Sequence, residues 1–266
     1  MKEYQRNLIK EKIQDYVLNF IYNDKDYKNL IFTGGTCLRK LYNLPRLSED
    51  LDFNYQFGFD IGKFGKKIKK YFQELKKYDL KEIKLANNQR TLFLKFSANE
   101  LLPISKSITV SPTEKIFVRC DFSKTANKTD VEVNSYSYDK YSFFILSYNL
   151  QTLFTNKLLA FLERKFFRGK EQTIAFKGRD LFDIVWFINL SSKSGFDLKP
   201  NWKTILKHLN ETNKGKVIKK IIDKVNKIEK KDAQNDLSPF VESRQYLDDF
   251  LNNYKTIIQT KIRYLI

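Results

Sequence analysis

Histidine and cysteine are almost missing from this chain: His208, Cys37 and Cys120 are the full complement in 266 residues. So few cannot build a disulfide framework or a Cys/His zinc cluster. Ser-His-Asp and Cys-His catalysis are left with one imidazole, and His208 sits in a basic, helix-like stretch that reads as surface. Long apolar runs are lacking too, and none approaches the roughly 20 residues that cross a bilayer. The N-terminus, MKEYQRNLIKEKIQ, is charged where a secretory signal is apolar, so the chain reads as cytoplasmic with no membrane partner. Acidic residues are in short supply relative to basic ones.

That imbalance is the first positive feature. Lys plus Arg is 49 against 31 Asp plus Glu, a net charge of +18. An excess of this size attracts polyanions and speeds encounter with them, which makes nucleic acid the first partner to consider. A Lys-rich and Ile-rich proteome also produces such a balance, so charge alone does not decide. With 42% hydrophobic residues the chain can bury one large core or two ordinary ones.

Taken in order, Tyr4, Leu8, Ile9, Ile13, Tyr16, Val17, Phe20 and Ile21 recur at helical spacing, and the helix ends in the polar turn Asn23 to Lys28. Ile61 to Tyr78 reads as a second helix, with Phe64, Ile68, Phe72 and Leu75 inward. Lys81 to Leu85 and Thr91 to Phe96 flank Ala86-Asn87-Asn88-Gln89 as a hairpin. Ser111-Pro112-Thr113 reads as a turn, Lys115 to Phe122 as a strand, and the polar stretch Ser123 to Tyr141 as the connection out of a sheet domain. Beyond it the period changes to helical: Leu146 to Leu162, Leu181 to Ile188, a lysine-rich set from Val217 to Ile228, and a last helix over Ser243 to Tyr264. The expectation is an α+β chain, with a mixed sheet flanked by helices over 1–140 and a basic helical domain over 141–266.

The chain is organised around Ile31 to Tyr55, IFTGGTCLRKLYNLPRLSEDLDFNY. A short β-favouring run enters Gly34-Gly35-Thr36, a helix-like segment follows from Cys37 to Tyr42, and after a polar turn Asp50 and Asp52 alternate with Leu51, Phe53 and Tyr55. In a strand, residues two apart share a face, so both carboxylates project together while the apolar residues face a core. Two acids side by side repel unless a cation lies between them, and Mg²⁺, with Mn²⁺ as an alternative, is the hard ion that takes carboxylate oxygens and keeps sites open for phosphates. Asp121, between Cys120 and Phe122, is either an exposed strand-end acid or a third carboxylate of the same set.

These residues, with Lys157 opening the helix KLLAFLER and the segment Lys177-Gly178-Arg179-Asp180-Leu181-Phe182-Asp183, resemble the nucleotidyltransferases of the AbiEii/AbiGii toxin family over roughly residues 25 to 190. The Gly-Gly-Thr turn followed by Asp-x-Asp is the signature of the wider polymerase-β-like superfamily. The resemblance implies a polymerase-β-like N-terminal domain and a nucleoside triphosphate held at Gly34, Gly35, Thr36, Ser48 and Lys157. It implies metal ligation by Asp50, Asp52 and Asp121, and catalysis by Asp50, Asp52, Lys157 and Asp180. Backbone N–H groups after the glycines can approach triphosphate oxygens. Ser48 either donates to a phosphate or caps its turn; a helix-start acid is a sufficient structural explanation of Asp180, and the resemblance favours its active-site role; Asp183 reads as structural, paired with an arginine. The family also implies a bacterial toxin–antitoxin or phage-defence setting, a cognate antitoxin, and transfer of a nucleotide to the 3′ end of tRNA or another RNA. Transfer to a protein hydroxyl, or nucleotide and nucleic-acid binding without catalysis, are the alternatives.

Overall fold

The computed structural model describes residues 3–75, 78–98, 113–125, 130–164, 166–168, 172–174, 176–193 and 197–266. The chain divides into two compact units, Met1–Tyr148 and Asn149–Ile266. The expected turn at Ser111-Pro112 lies outside the described residues.

The first unit opens with α1 (Glu3–Asn23), β1 (Ile31–Thr33), α2 (Gly34–Tyr42), β2 (Asp50–Tyr55) and α3 (Ile61–Leu75). It continues through β3 (Leu80–Ala86), β4 (Thr91–Ser97), β5 (Lys115–Lys124), β6 (Val131–Tyr138) and β7 (Tyr141–Tyr148). The strands form a mixed seven-stranded sheet in the order β3-β4-β5-β2-β1-β7-β6. Asn87, Asn88 and Gln89 turn the β3–β4 hairpin with φ of 50°, 51° and 61°, left-handed values that asparagine tolerates better than most residues.

The sheet's two faces differ sharply. On one, Phe32, Phe53 and Phe122 stack side by side across β1, β2 and β5, with ring centroids 5.3 and 5.6 Å apart. Helix α3 adds Phe64 against Phe122 and Phe72 against Phe96, and α1 brings Tyr16 edge-on to Tyr138. Burying rings of this size contributes roughly 1.5–3 kcal/mol each. Alternation then places Asp50, Asp52 and Asn54 of β2 on the opposite face.

The structure corrects the sequence reading between residues 123 and 148. The stretch expected as a connection contains β6, which pairs antiparallel with β7 through a turn with Asp139 at φ 54°. Leu146, expected to open a helix, lies in β7, and the sheet therefore extends to Tyr148. The cause is an unusual inward face: Glu132, Asn134, Tyr136 and Tyr138 of β6 are the partly covered residues, while Val131 and Val133 are exposed. Tyr136 donates to Asp15 and Tyr42 to Glu132, so polar contacts to the helices replace the apolar signal by which strands are recognised.

The second unit is mainly helical. It comprises α4 (Leu150–Glu163), a two-stranded ribbon of β8 (Phe166–Arg168) and β9 (Gln172–Ile174), α5 (Gly178–Ser191), α6 (Trp202–His208), α7 (Lys214–Asn226), α8 (Lys230–Leu237) and α9 (Arg244–Lys261). Asn149, Asn201, Asn213 and Ser243 cap α4, α6, α7 and α9 by accepting from backbone N–H groups one turn in. His208 is half exposed, 2.9 Å from Glu163.

Helices α1 and α2 are tied by ion pairs, of which Lys40 to Asp15 (2.6 Å) is the buried one. Burial pushes the Asp15 carboxyl up and the Lys40 charge opposes this. Removing one member strands the other. Lys40→Met is therefore expected to lower the unfolding free energy by about 3 kcal/mol in chemical denaturation, and adding Asp15→Asn to restore most of it. A single variant as stable as the parent contradicts this.

Candidate active site

Strand β1 runs directly into α2 at Gly34, so the helix begins three residues earlier than its apolar spacing indicates. Gly34 has φ +79°, and a Cβ there would fall 2.1 Å from Asp52 Oδ2. The position admits no side chain on either ground. Thr33, just before the helix, is extended and provides no side-chain cap. The first N–H groups of a helix lack intrahelical partners and carry its positive end, which is the usual place for a phosphate or carboxylate. A Cβ on Gly35 would lie 2.8 Å from the Arg46 guanidinium and 3.0 Å from Ser48 Oγ.

Several contacts fix the chain that leads into β2. Gln14 donates to the carbonyls of Ser48 and Glu49 at 3.0 and 2.9 Å, so α1 holds the backbone just before Asp50. The buried Thr36 hydroxyl donates to the Asp50 carbonyl. Thr36 was expected to offer that hydroxyl to a phosphate, and here it ties α2 to the start of β2. Arg46, only 3% exposed, donates to the Leu47 carbonyl. This buried cation beside Gly35 was not singled out from the sequence, although its place in Pro45-Arg46-Leu47-Ser48, just before the acidic pair, was a signal.

Strand β5 lies parallel to β2 with Asp52 opposite Asp121 and Asp50 opposite Arg119. The chain thus brings Asp50, Asp52 and Asp121 onto one face. The buried Cys120 thiol is pushed well up by burial, then by the charges of Asp121, Asp50 and Asp52. Asp121 Oδ1 accepts from Thr91, and its Oδ2 lies 2.9 Å from Arg119 Nε, a charge contact without hydrogen-bond alignment. Among the described residues no three acid, His or Cys side chains are gathered closely enough to enclose an ion. The donor set suits a hard divalent ion, with Asp121 a ligand only after exchanging Arg119 for the metal. A cleft of about 580 Å³ lined by Tyr27, Leu30, Tyr55, Phe57 and Asp60 lies past the other ends of β1 and β2, away from the carboxylates.

Lys157 and Asp180 belong to the second unit and meet there. Lys157 Nζ is 2.7 Å from Asp183 Oδ2 and 3.9 Å from Asp180 Oδ1. Asp183 thus pairs with a lysine, where an arginine was expected; the arginine, Arg164, lies 2.6 Å from Asp180 Oδ2. That oxygen is buried and has no aligned hydrogen bond, an acceptor held by charge alone. The start of α5 is capped from α8, where Asp236 accepts from the Arg179 N–H and packs on Gly178. Asp180 is therefore not needed as the cap. Burial, with the charges of Arg164 and Arg179, holds the Lys177 ammonium below its ordinary range.

Because Gly34 is both left-handed and under Asp52, Gly34→Ala is expected to cost about 1–3 kcal/mol of unfolding free energy, read by urea denaturation. Unchanged stability would show that Asp52 does not lie over this backbone.

Comparisons with known proteins show the family and the fold. The family model described as "Nucleotidyl transferase AbiEii toxin, Type IV TA system" matches residues 18–256. No curated protein matches significantly. Among solved structures, JHP933 from Helicobacter pylori is similar with a TM-score of 0.55 at 16% identity, covering 97% of this chain and 93% of that one. MenT4, a nucleotidyltransferase toxin from Mycobacterium tuberculosis H37Rv, gives 0.54 at 12% identity, covering 100% and 89%. At such identities these two likenesses speak for the fold, and the family assignment rests on the match that takes in the Gly-Gly-Thr turn, Asp50, Asp52, Lys157 and Asp180. This chain belongs to the AbiEii nucleotidyltransferase toxin family of type IV toxin–antitoxin systems.

Proposed function

We propose that this nucleotidyltransferase toxin moves a nucleoside monophosphate from a nucleoside triphosphate to the 3′ hydroxyl of tRNA or another RNA, with Mg²⁺ as cofactor, and so halts translation. The observation that carries the reading is the pairing of Asp52 with Asp121 on adjacent strands, beside a helix start that has no room for a side chain at Gly34. The acceptor oxygen bonds to the α-phosphorus, pyrophosphate leaves, and the hydroxyl proton passes to the carboxylate set. Asp50, Asp52 and Asp121 would hold the divalent ion, or Mn²⁺ in its place. When bound, the ion supplies activation of the hydroxyl and neutralisation of phosphate charge.

The protein's own residues bind and orient. N–H groups at the start of α2, reached past Gly34 and Gly35, take triphosphate oxygens, with Ser48 and the Thr36 backbone beside them. Lys157 is the point charge for the triphosphate, held in place by Asp183, and Asp180 completes the catalytic set. A net charge of +18 favours a polyanionic acceptor. No helix among the described residues is long and apolar enough to cross a membrane. The setting of the proposed reaction is the cytoplasm, with restraint by a cognate antitoxin.

Incubation with Mg²⁺, each α-labelled nucleoside triphosphate and total tRNA tests the reading. Label is expected in RNA, lost with chelator and lowered at least about 100-fold by Asp52→Asn. Label confined to protein, or RNA labelling that survives Asp52→Asn, contradicts it.

A further inference from the structure

The sheet face that carries the carboxylates does not end at them. Strand register sets out rows of side chains across β3, β4 and β5 that lead away from the metal-binding acids. One row is Ala86, Thr91, Asp121 and Asp52; the next is Lys84, Phe93, Arg119 and Asp50; the third is Glu82, Lys95 and Phe117. Because β2 begins at Asp50, the third row has no β2 neighbour, and Phe117 stands 46% exposed. At about 3.3 Å per residue, Phe93 is about 7 Å and Phe117 about 13 Å along the strands from Asp121.

On β4 and β5 the opposite face is apolar and buried: Leu92, Leu94, Phe96, Ile116, Val118 and Phe122. An ordinary solvated face would alternate this with polar residues alone. Here it carries two phenyl rings, each with a cation beside it. Arg119 lies 6.0 Å from the Phe93 centroid and Lys95 5.9 Å from that of Phe117. Lys95 is steadied by Glu82 at 2.7 Å, and Lys84 and Lys115 are exposed at the margins. A single exposed Phe needs no explanation. Two rings interleaved with cations, in register with a carboxylate set, match the construction of single-strand platforms, where bases stack on aromatics and cations track phosphates.

We propose that Phe93 and Phe117 form a stacking platform for the last unpaired nucleotides of the RNA acceptor, with Lys84, Lys95 and Arg119 along its backbone, so that the terminal hydroxyl arrives at Asp121 and Asp52. The inference rests on the RNA-transfer reading and narrows its substrate to a single-stranded 3′ end. Duplex RNA cannot use the rings, because its bases are already stacked and paired.

The test uses the full chain and a fluorescent, unstructured oligopyrimidine RNA in an anisotropy titration, with melting curves as a folding control. Phe117→Ala is expected to melt like the parent, bind the oligonucleotide about 10-fold more weakly and leave duplex RNA binding unchanged. Phe117→Tyr should retain binding and Phe117→Leu should not, since stacking needs the ring. In the transfer assay the KM for RNA should rise while that for the triphosphate stays. If the oligonucleotide is bound and lost with Phe117→Ala but RNA is never labelled, the platform stands and the transfer reading fails. If RNA is labelled and Phe117→Ala changes neither binding nor KM, the platform is wrong. Absence of oligonucleotide binding by the parent, or equal binding by the Leu and Tyr variants, overturns it as well.

Discussion

The first unit depends on one close approach: the Asp52 carboxylate lies over the backbone of Gly34, where a Cβ would sit 2.1 Å from Oδ2. This requires a left-handed residue without a side chain at the start of α2, and it places the acid of one strand at the positive end of the helix that leaves another. Antiparallel pairing of β1 with β2 sets Thr33 opposite Asp52, so strand, turn and acid are fixed together. Gln14 and Thr36 secure the backbone on either side of the approach. Helices α1, α2 and α3 pack together against the other face of the sheet.

The two faces of β5 show how one strand serves both purposes. Ile116, Val118, Cys120 and Phe122 are buried to within 1% exposure, whereas Lys115, Phe117, Arg119 and Asp121 alternate with them. Because side chains alternate, the apolar core and the acid-bearing face are encoded in different residues of one strand, so neither compromises the other. In the second unit an analogous economy joins Lys157 to Asp183 and Asp180 to Arg164. Buried acids there are balanced by cations, which keeps an uncompensated charge out of the helical core.

Much of this was legible in the sequence. The alternation of Asp50, Leu51, Asp52 and Phe53 identifies a strand with acids on one side, and the helical spacings locate most helices to within a few residues. What was not legible depends on partners distant in the chain. That Asp121 stands opposite Asp52 follows from parallel pairing across a long separation, which no local pattern encodes. Strand β6 escaped because its inward face is Tyr, Asn and Glu bonded to helices. The partner of Asp183 was misread as arginine because Lys157 lies on another helix, and Arg46 was passed over because burial of a cation is a tertiary fact. Among so many Phe and Tyr residues, only register could separate Phe93 and Phe117 from the core.

The central claim is that the face bearing Asp50, Asp52 and Asp121 is built for a divalent ion at the mouth of α2. The most direct measurement is anomalous diffraction from crystals grown with Mn²⁺ and a non-hydrolysable nucleoside triphosphate. The account predicts a metal peak ligated by Asp50 and Asp52, with Asp121 turned from Arg119 toward the ion and phosphates at the Gly34 end of the helix. A peak elsewhere, or none while nucleotide is bound and Asp121 still faces Arg119, would contradict it.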